Sequence, residues 1–237
     1  MKKIFIGLLI FVVIIAAVLE IILPSTVTSI LKEQIAKSTH AQDVALHMYS
    51  VPNAKIVLGQ VDEVHGTANS GKLGDVEFEA LTLDAKKVSV DVMELIFPTN
   101  TLNSKQRTEK ILKSAENVEL SGIITADGLK NFIEDKVDHL DDAQIKITPQ
   151  EVSATGKVKF MGQTADVDIA GSFILDNGDI YFHVTGLNVR NALVRHVQMD
   201  RFLGDLKVLQ SSQLPIGLKF SSVQMRDGDV LITANRE

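Results

Sequence analysis

Twenty residues near the start of the chain, Ile4 to Leu23, form an apolar run interrupted by a single charge, Glu20. About 20 residues of helix cross a hydrocarbon core, whereas the apolar region of a cleaved signal peptide is shorter, about 7 to 15 residues. Ala16 and Ala17 are small, but Val18, Leu19 and Ile21 follow them, so no clean cleavage site appears. An uncleaved anchor over residues 1–23 is the expectation, with a cleaved signal and a periplasmic or secreted product as the other reading. Lys2 and Lys3 precede the run and no comparable basic cluster follows it closely. That asymmetry puts the N-terminus inside and the rest of the chain on the extracytoplasmic side of the membrane. Glu20 lies only four positions before Pro24, where an outer interface relieves most of the cost of a buried carboxylate.

Everything downstream must therefore suit a protein tied to a bilayer. From Pro24 to Glu237 no Gly/Ser or charged linker divides the chain, so one domain over 24–237 is expected. The net charge of −6 includes Lys2, Lys3 and Glu20, so the domain alone is more acidic still. Such a surface does not suit nucleic acid, and it would not hold anionic lipid head groups by charge. Hydrophobic residues make up 45% but aromatics only 5%, with no Trp, so Val, Ile, Leu and Ala carry the apolar content. That profile suits packed strands or a smooth aliphatic cavity rather than a platform of stacked rings. With no Cys there is no disulfide framework, no thiol nucleophile and no lipidation cysteine.

Past Pro24 the apolar residues Val27, Ile30, Leu31 and Ile35 recur at helical spacing, with Ser25 or Thr26 at the start. Period-two alternation then takes over at Val44, Leu46 and Met48, at Ile56 and Leu58, at Val76 and Phe78 against Glu77 and Glu79, and at Val88, Val90 and Val92. Residues 97–104 contain Pro98, Asn100 and Asn103 and read as a loop, followed by a short polar helix near 105–114. A strand through Val118, Leu120 and Ile124 leads to a second amphipathic helix, introduced by Thr125 and Asp127 and carrying Leu129, Phe132, Ile133 and Val137. Strands resume through Ile145 and Ile147, Val152 to Phe160, Ala165 to Leu175 and Ile180 to Val184, with Asn177-Gly178 as a hairpin turn. A third apolar-periodic segment, Ala192 to Leu206, reads as a C-terminal helix. A closing hairpin follows, with Asp227-Gly228 between its strands.

Ile30, Leu31 and Ile35 share their spacing with Phe132, Ile133 and Val137, and strands follow each set. Two helix-plus-strands halves, about 24–97 and 118–190, would share one core.

Catalytic chemistry is not signalled. The six histidines are scattered, without an H-E-x-x-H pair, and neither a G-x-S-x-G elbow nor a phosphate loop occurs. Asp138, His139, Asp141 and Asp142 are the densest group of potential ligands but lack calcium-loop spacing, so no metal or cofactor is implied. What remains is apolar surface. Helices lying on a curved sheet leave an aliphatic groove, or else their apolar residues fill one another's space. In that second case the protein is a structural or interaction component of the cell envelope, without a lipid ligand.

The order of the segments LPSTVTSILKEQI, VALHMYSVP, KIVLGQV and ITADGLKNFIEDKV, with the ending SSQLPIGLKFSSVQMRDGDVLITA, resembles the LmeA-like phospholipid-binding family. The resemblance covers nearly everything after Pro24. It implies an α+β tubular lipid-binding fold, related in shape to bactericidal/permeability-increasing proteins: a strongly curved antiparallel sheet wrapped around a long amphipathic helix, with acyl chains between them. It carries no catalytic residues. The expected function is a non-enzymatic, membrane-anchored binder of phospholipid acyl chains in envelope lipid transport or homeostasis. The expected groove residues, taken from the helical apolar faces, are Ile30, Leu31, Ile35, Phe132, Ile133, Leu193, Phe202 and Leu206.

Overall fold

The computed structural model describes residues 28–29, 32–33, 36, 41–96, 110–136, 140–160, 163–190, 205–214 and 217–236. Antiparallel β-structure dominates, with one sheet strongly curled and few helices. In chain order the elements are β1 (Asp43–Tyr49), α1 (Ala54–Val57), β2 (Gln60–Leu73), β3 (Val76–Val90), α2 (Val92–Ile96), β4 (Leu112–Thr125), α3 (Ala126–Lys136), β5 (Leu140–Ile147), β6 (Val152–Phe160), β7 (Gln163–Asp176), β8 (Asp179–Arg190), β9 (Leu206–Leu209), a 3₁₀ turn (Ser211–Gln213), β10 (Lys219–Met225) and β11 (Asp229–Asn235).

Two sheets form where one was expected. The first has strand order β1-β2-β3-β4-β11-β10 and the second β5-β6-β7-β8-β9. The separation follows from the sequence around Thr125: its hydroxyl accepts the Gly128 N–H at 3.4 Å and starts α3, so the chain leaves β4 in a helix instead of a hairpin. It re-enters β-structure at Leu140 as the edge of a new sheet. The closing hairpin returns to the first sheet beside β4.

The chain divides into two compact units, residues 1–68 with 82–119, and residues 69–81 with 120–237. In the first, Leu46, Val61, Ala68, Ala85, Val88 and Val118 are buried along the strands. Here the alternation of Val44 to Met48 holds, and Ile56 and Leu58 correct the expected strand. They belong to a helical turn, in which Lys55 N–H bonds Pro52 O and Ile56 N–H bonds Asn53 O, ended by Gly59 at φ +77°. Ile56 is 1% exposed and Leu58 76%. Two apolar residues two apart do not separate a strand from a turn that buries one and exposes the other. The polar helix expected near 105–114 also ends early, because Lys113 and Ser114 already belong to β4.

The second unit holds the whole five-stranded sheet. At the β7–β8 turn both Asn177 (φ 49°) and Gly178 (φ 81°) are left-handed, as an Asn-Gly hairpin of this length requires. Gly122 lets the Phe78 ring lie across β4, where a Cβ would stand 2.5 Å from it. Buried Val, Ile, Leu and Phe side chains each contribute about 1.5–3 kcal/mol; Val76, Ile124, Leu129, Val152, Ile180, Leu209, Leu218 and Val230 are among the fully buried ones.

Among the described residues α3, with 11 residues, is the longest helix, so the long amphipathic helix of the expected fold is not found among them. Of the first expected helix, Thr28, Ser29, Lys32, Glu33 and Ala36 are helical, with Ser29 and Glu33 exposed as its polar side. Ile30, Leu31 and Ile35 lie outside the described residues, as do residues 1–27 with the expected anchor. Among the described residues no helix is long and apolar enough to cross a membrane.

Candidate lipid-binding site

The five-stranded sheet sorts its side chains by period two. Directly opposed residues share a face, so the register from β6 to β8 defines two surfaces. One carries Thr155 opposite Asp168 opposite Asn188, and Lys157 opposite Asp166 opposite Arg190. Asp168 there accepts from Arg190 Nη2 at 2.8 Å and from Asn188 Nδ2 at 3.3 Å, a polar, solvated surface.

The other face is apolar over its whole length. Its rows read Val152–Gly171–Val184, Ala154–Ile169–Leu187, Gly156–Val167–Val189 and Val158–Ala165, and Ile145 on β5 stands opposite Ala154. Beyond Gly171 the face continues through Phe173 and Phe182, whose rings meet edge to face at 5.4 Å.

A bulge makes this continuity possible. Ala170 opposes Gly186 while Gly171 opposes Val184, leaving Thr185 unpaired on β8. Without that extra residue, Leu187 and Val189 would fall on the polar face, away from Ile180, Phe182 and Val184, since a shift of one residue inverts every side chain. Gly171 is required at this point, because a Cβ there would lie 2.5 Å from the His183 carbonyl oxygen.

Coverage of the face changes along it. Val152, Ala154, Val167, Gly171, Val184, Phe173, Phe182 and Ile180 are buried, whereas Ile145, Val158, Ala165, Ile169, Leu187 and Val189 are only half-buried and lie around Ala154 and Val167. Small residues at Gly156 and Ala165 keep the face smooth.

Polar bonds tie α3 to β2 and β3 of the first sheet. Asn131 Nδ2 donates to Glu77 Oε2 at 2.7 Å, and Lys72 Nζ reaches Glu77 Oε1 at 2.7 Å. These two bonds, Lys72 first and Asn131 second, hold the Glu77 carboxyl below its ordinary pKa. On its other side α3 meets β5, where Ala143 N–H donates to Glu134 Oε1 at 3.2 Å. A Cβ on Gly128 would stand 2.6 Å from the Glu77 carbonyl oxygen, so α3 starts directly on β3.

Of the residues expected to line a groove, Phe132 is buried at 7% exposure and Ile133 is half-buried, both on α3. Leu206 does not end a helix: it opens β9 opposite Phe182 and is 44% exposed. Ile30, Leu31, Ile35, Leu193 and Phe202 lie outside the described residues. The half-covered apolar face was missed by reading helices; its signal was the alternation of apolar with polar residues from Val152 to Val158 and from Ala165 to Phe173. Among the described residues no three His, Asp or Glu side chains gather to hold a metal ion, and Asp142 pairs with Lys157 at 3.3 Å.

An antiparallel β-protein that keeps an aliphatic sheet face partly uncovered has the construction of an apolar-ligand binder. The chain belongs to the LmeA-like phospholipid-binding family, matching it over residues 18–235. That family is one of lipid-binding domains rather than of enzymes. Neither a curated protein nor a solved structure gives a match.

Proposed function

We propose that the protein is a non-catalytic, single-pass component of the cytoplasmic membrane, anchored through residues 4–23, that holds phospholipid acyl chains on its extracytoplasmic side and serves envelope lipid transport or homeostasis. The chains lie along the aliphatic face of β6 to β8, over Val158, Ala165, Ile169, Leu187 and Val189. Ile133 on α3 and Leu206 on β9 are the further contacts proposed, both in the unit that holds the sheet. One observation carries this reading: the half-buried aliphatic run occurs in a chain of a phospholipid-binding family.

Binding of this kind is partitioning. Each methylene moved from water to the face gains about 0.8 kcal/mol, so a fatty chain is held without a covalent step or a metal. The polar opposite face and the acidic balance leave the head group in water. Native mass spectrometry of the full-length protein, released from its membrane in mild detergent, tests the reading. Adducts of diacyl phospholipid mass are expected. A clean apo mass would instead favour a structural or interaction protein with a solid core.

A further inference from the structure

Among the described residues, six large hydrophobic side chains are conspicuously exposed, and four of them belong to one end of the first unit: Tyr49 (58%), Val51 (59%), Leu58 (76%) and Met93 (66%). The backbone ties them together. Val51 N–H donates to Asp62 Oδ2 at 2.9 Å, Leu58 N–H to Lys55 O at 2.9 Å, and Val90 N–H to Gly59 O at 2.7 Å. Asp91 N–H then bonds Ile111 O at 2.7 Å, and Asp91 Oδ1 accepts the Glu94 N–H at 3.1 Å. The end of β1, the α1 turn, the end of β3 and the start of α2 thus form one braced set of turns whose large apolar side chains Tyr49, Val51, Leu58 and Met93 point outward, beside the exposed polar Asn53 and Gln60.

Charge at this end is neutralised in place. Asp62 faces Lys55 at 3.6 Å, Asp91 faces Lys113 at 3.2 Å, and Glu94 faces Lys110 at 2.8 Å. In an acidic protein, these turns thereby present no unbalanced carboxylate to a phosphate surface. Tyrosine, with an apolar body and a polar tip, and lysine, with a long aliphatic stem, are residues that sit well at a bilayer interface.

We propose that these turns, led by Leu58 and Met93, dock onto the interfacial region of a phospholipid bilayer. The inference rests on the lipid-holding reading only in that a phospholipid-binding protein must meet the surface from which its ligand comes. Docking is by apolar insertion and is therefore insensitive to salt.

The chain contains no cysteine, so L58C, M93C and, as a reference on exposed β3, K86C each give one labelling site. Both Leu58 and Met93 are exposed, so their replacement leaves the core intact. The full-length variants carry an environment-sensitive fluorophore and are reconstituted into phosphatidylcholine–phosphatidylglycerol vesicles. The expected result is quenching of positions 58 and 93 by brominated acyl chains and protection from iodide, with the opposite at position 86. The pattern should persist from about 0.1 M to about 1 M salt, where screening shortens from about 10 Å to about 3 Å. Iodide access at 58 and 93 equal to that at 86 would overturn the proposal. So would protection from both quenchers, which would mean a second copy or another protein covers the turns, and so would loss of lipid quenching at high salt. Phospholipid extracted from the same wild-type preparation reports separately on lipid holding: its absence defeats the proposed function whatever the quenching shows, and its presence with failed quenching defeats docking alone.

Discussion

Ile169 on β7 stands directly opposite Leu187 on β8, both half-buried, on the apolar face of the five-stranded sheet. A carboxylate at either position would place a charge where the proposed acyl chain lies. Displacing a chain by a charge, or burying the charge beneath it, costs several kcal/mol, and about 1.4 kcal/mol is already tenfold in occupancy. I169D and L187D are therefore expected to retain less than about a tenth of the wild-type phospholipid, as read by lipid extraction from purified protein. The thermal midpoint should fall less than for V152D, which buries its charge fully.

Phe132 and Ile133 are neighbours on α3 with different surroundings, since Phe132 is 7% exposed and Ile133 only half-buried. Removing a buried phenylalanine ring typically costs about 3–5 kcal/mol, so F132A should appear chiefly as a lower urea midpoint. I133S removes less buried surface and should lose lipid more than stability. Equal losses of both properties in both variants would argue that α3 serves only the core.

Gly128 offers a contest between two local effects. Alanine inside a helix is favoured over glycine by about 1 kcal/mol, but a Cβ at 128 meets the Glu77 carbonyl oxygen at 2.6 Å. The clash is with backbone, which cannot rotate away, and overpacking of this kind costs about 1–3 kcal/mol. G128A is expected to be destabilised despite its better propensity, with a lowered midpoint in urea unfolding.

The sequence announced those strands whose alternation is unbroken. Val152 to Phe160 matches β6 in both bounds, and Asn177-Gly178 makes the turn that its φ > 0 requirement implies. Thr125 begins α3 as its hydroxyl suggested. The alternation read in β8 stopped at Val184 because Thr185 is an unpaired bulge residue: Leu187 and Val189 resume on the same face at the opposite parity. The change of parity marks the bulge within β8, but the close approach that fixes it, Gly171 against His183 O, comes from the partner strand and could not be read from β8 alone. The division into two sheets was equally hidden, because strand partners depend on contacts distant in sequence. For the site, helical apolar faces drew attention to Phe132, while the more open aliphatic surface lay on strands that looked like ordinary core.

Asp179 provides a test of the structure against pH. Its carboxylate accepts the Ser211 N–H at 2.8 Å and meets Lys207 Nζ at 2.9 Å, next to the Ser211 hydroxyl that donates to Gly178 O. The backbone bond from Ser211 first, and then Lys207, hold its pKa below the ordinary carboxylate value of 3.8. A depressed folded-state pKa means that the stabilisation is complete above the unfolded value and is lost as pH falls through the folded one. D179N keeps an oxygen for Ser211 but loses the charge opposite Lys207. Hydrogen bonds to charged groups contribute about 1.5–3 kcal/mol against about 0.5–1.5 for neutral ones, so the variant should be about 1 kcal/mol less stable at pH 7. Below the ordinary carboxylate range the wild-type group takes up a proton and the advantage disappears. Urea unfolding of both proteins at pH 7, 5 and 3 should therefore show a gap that is constant at the first two values and narrower at the third; a gap unchanged at pH 3 would mean that the Asp179 charge does not brace this turn.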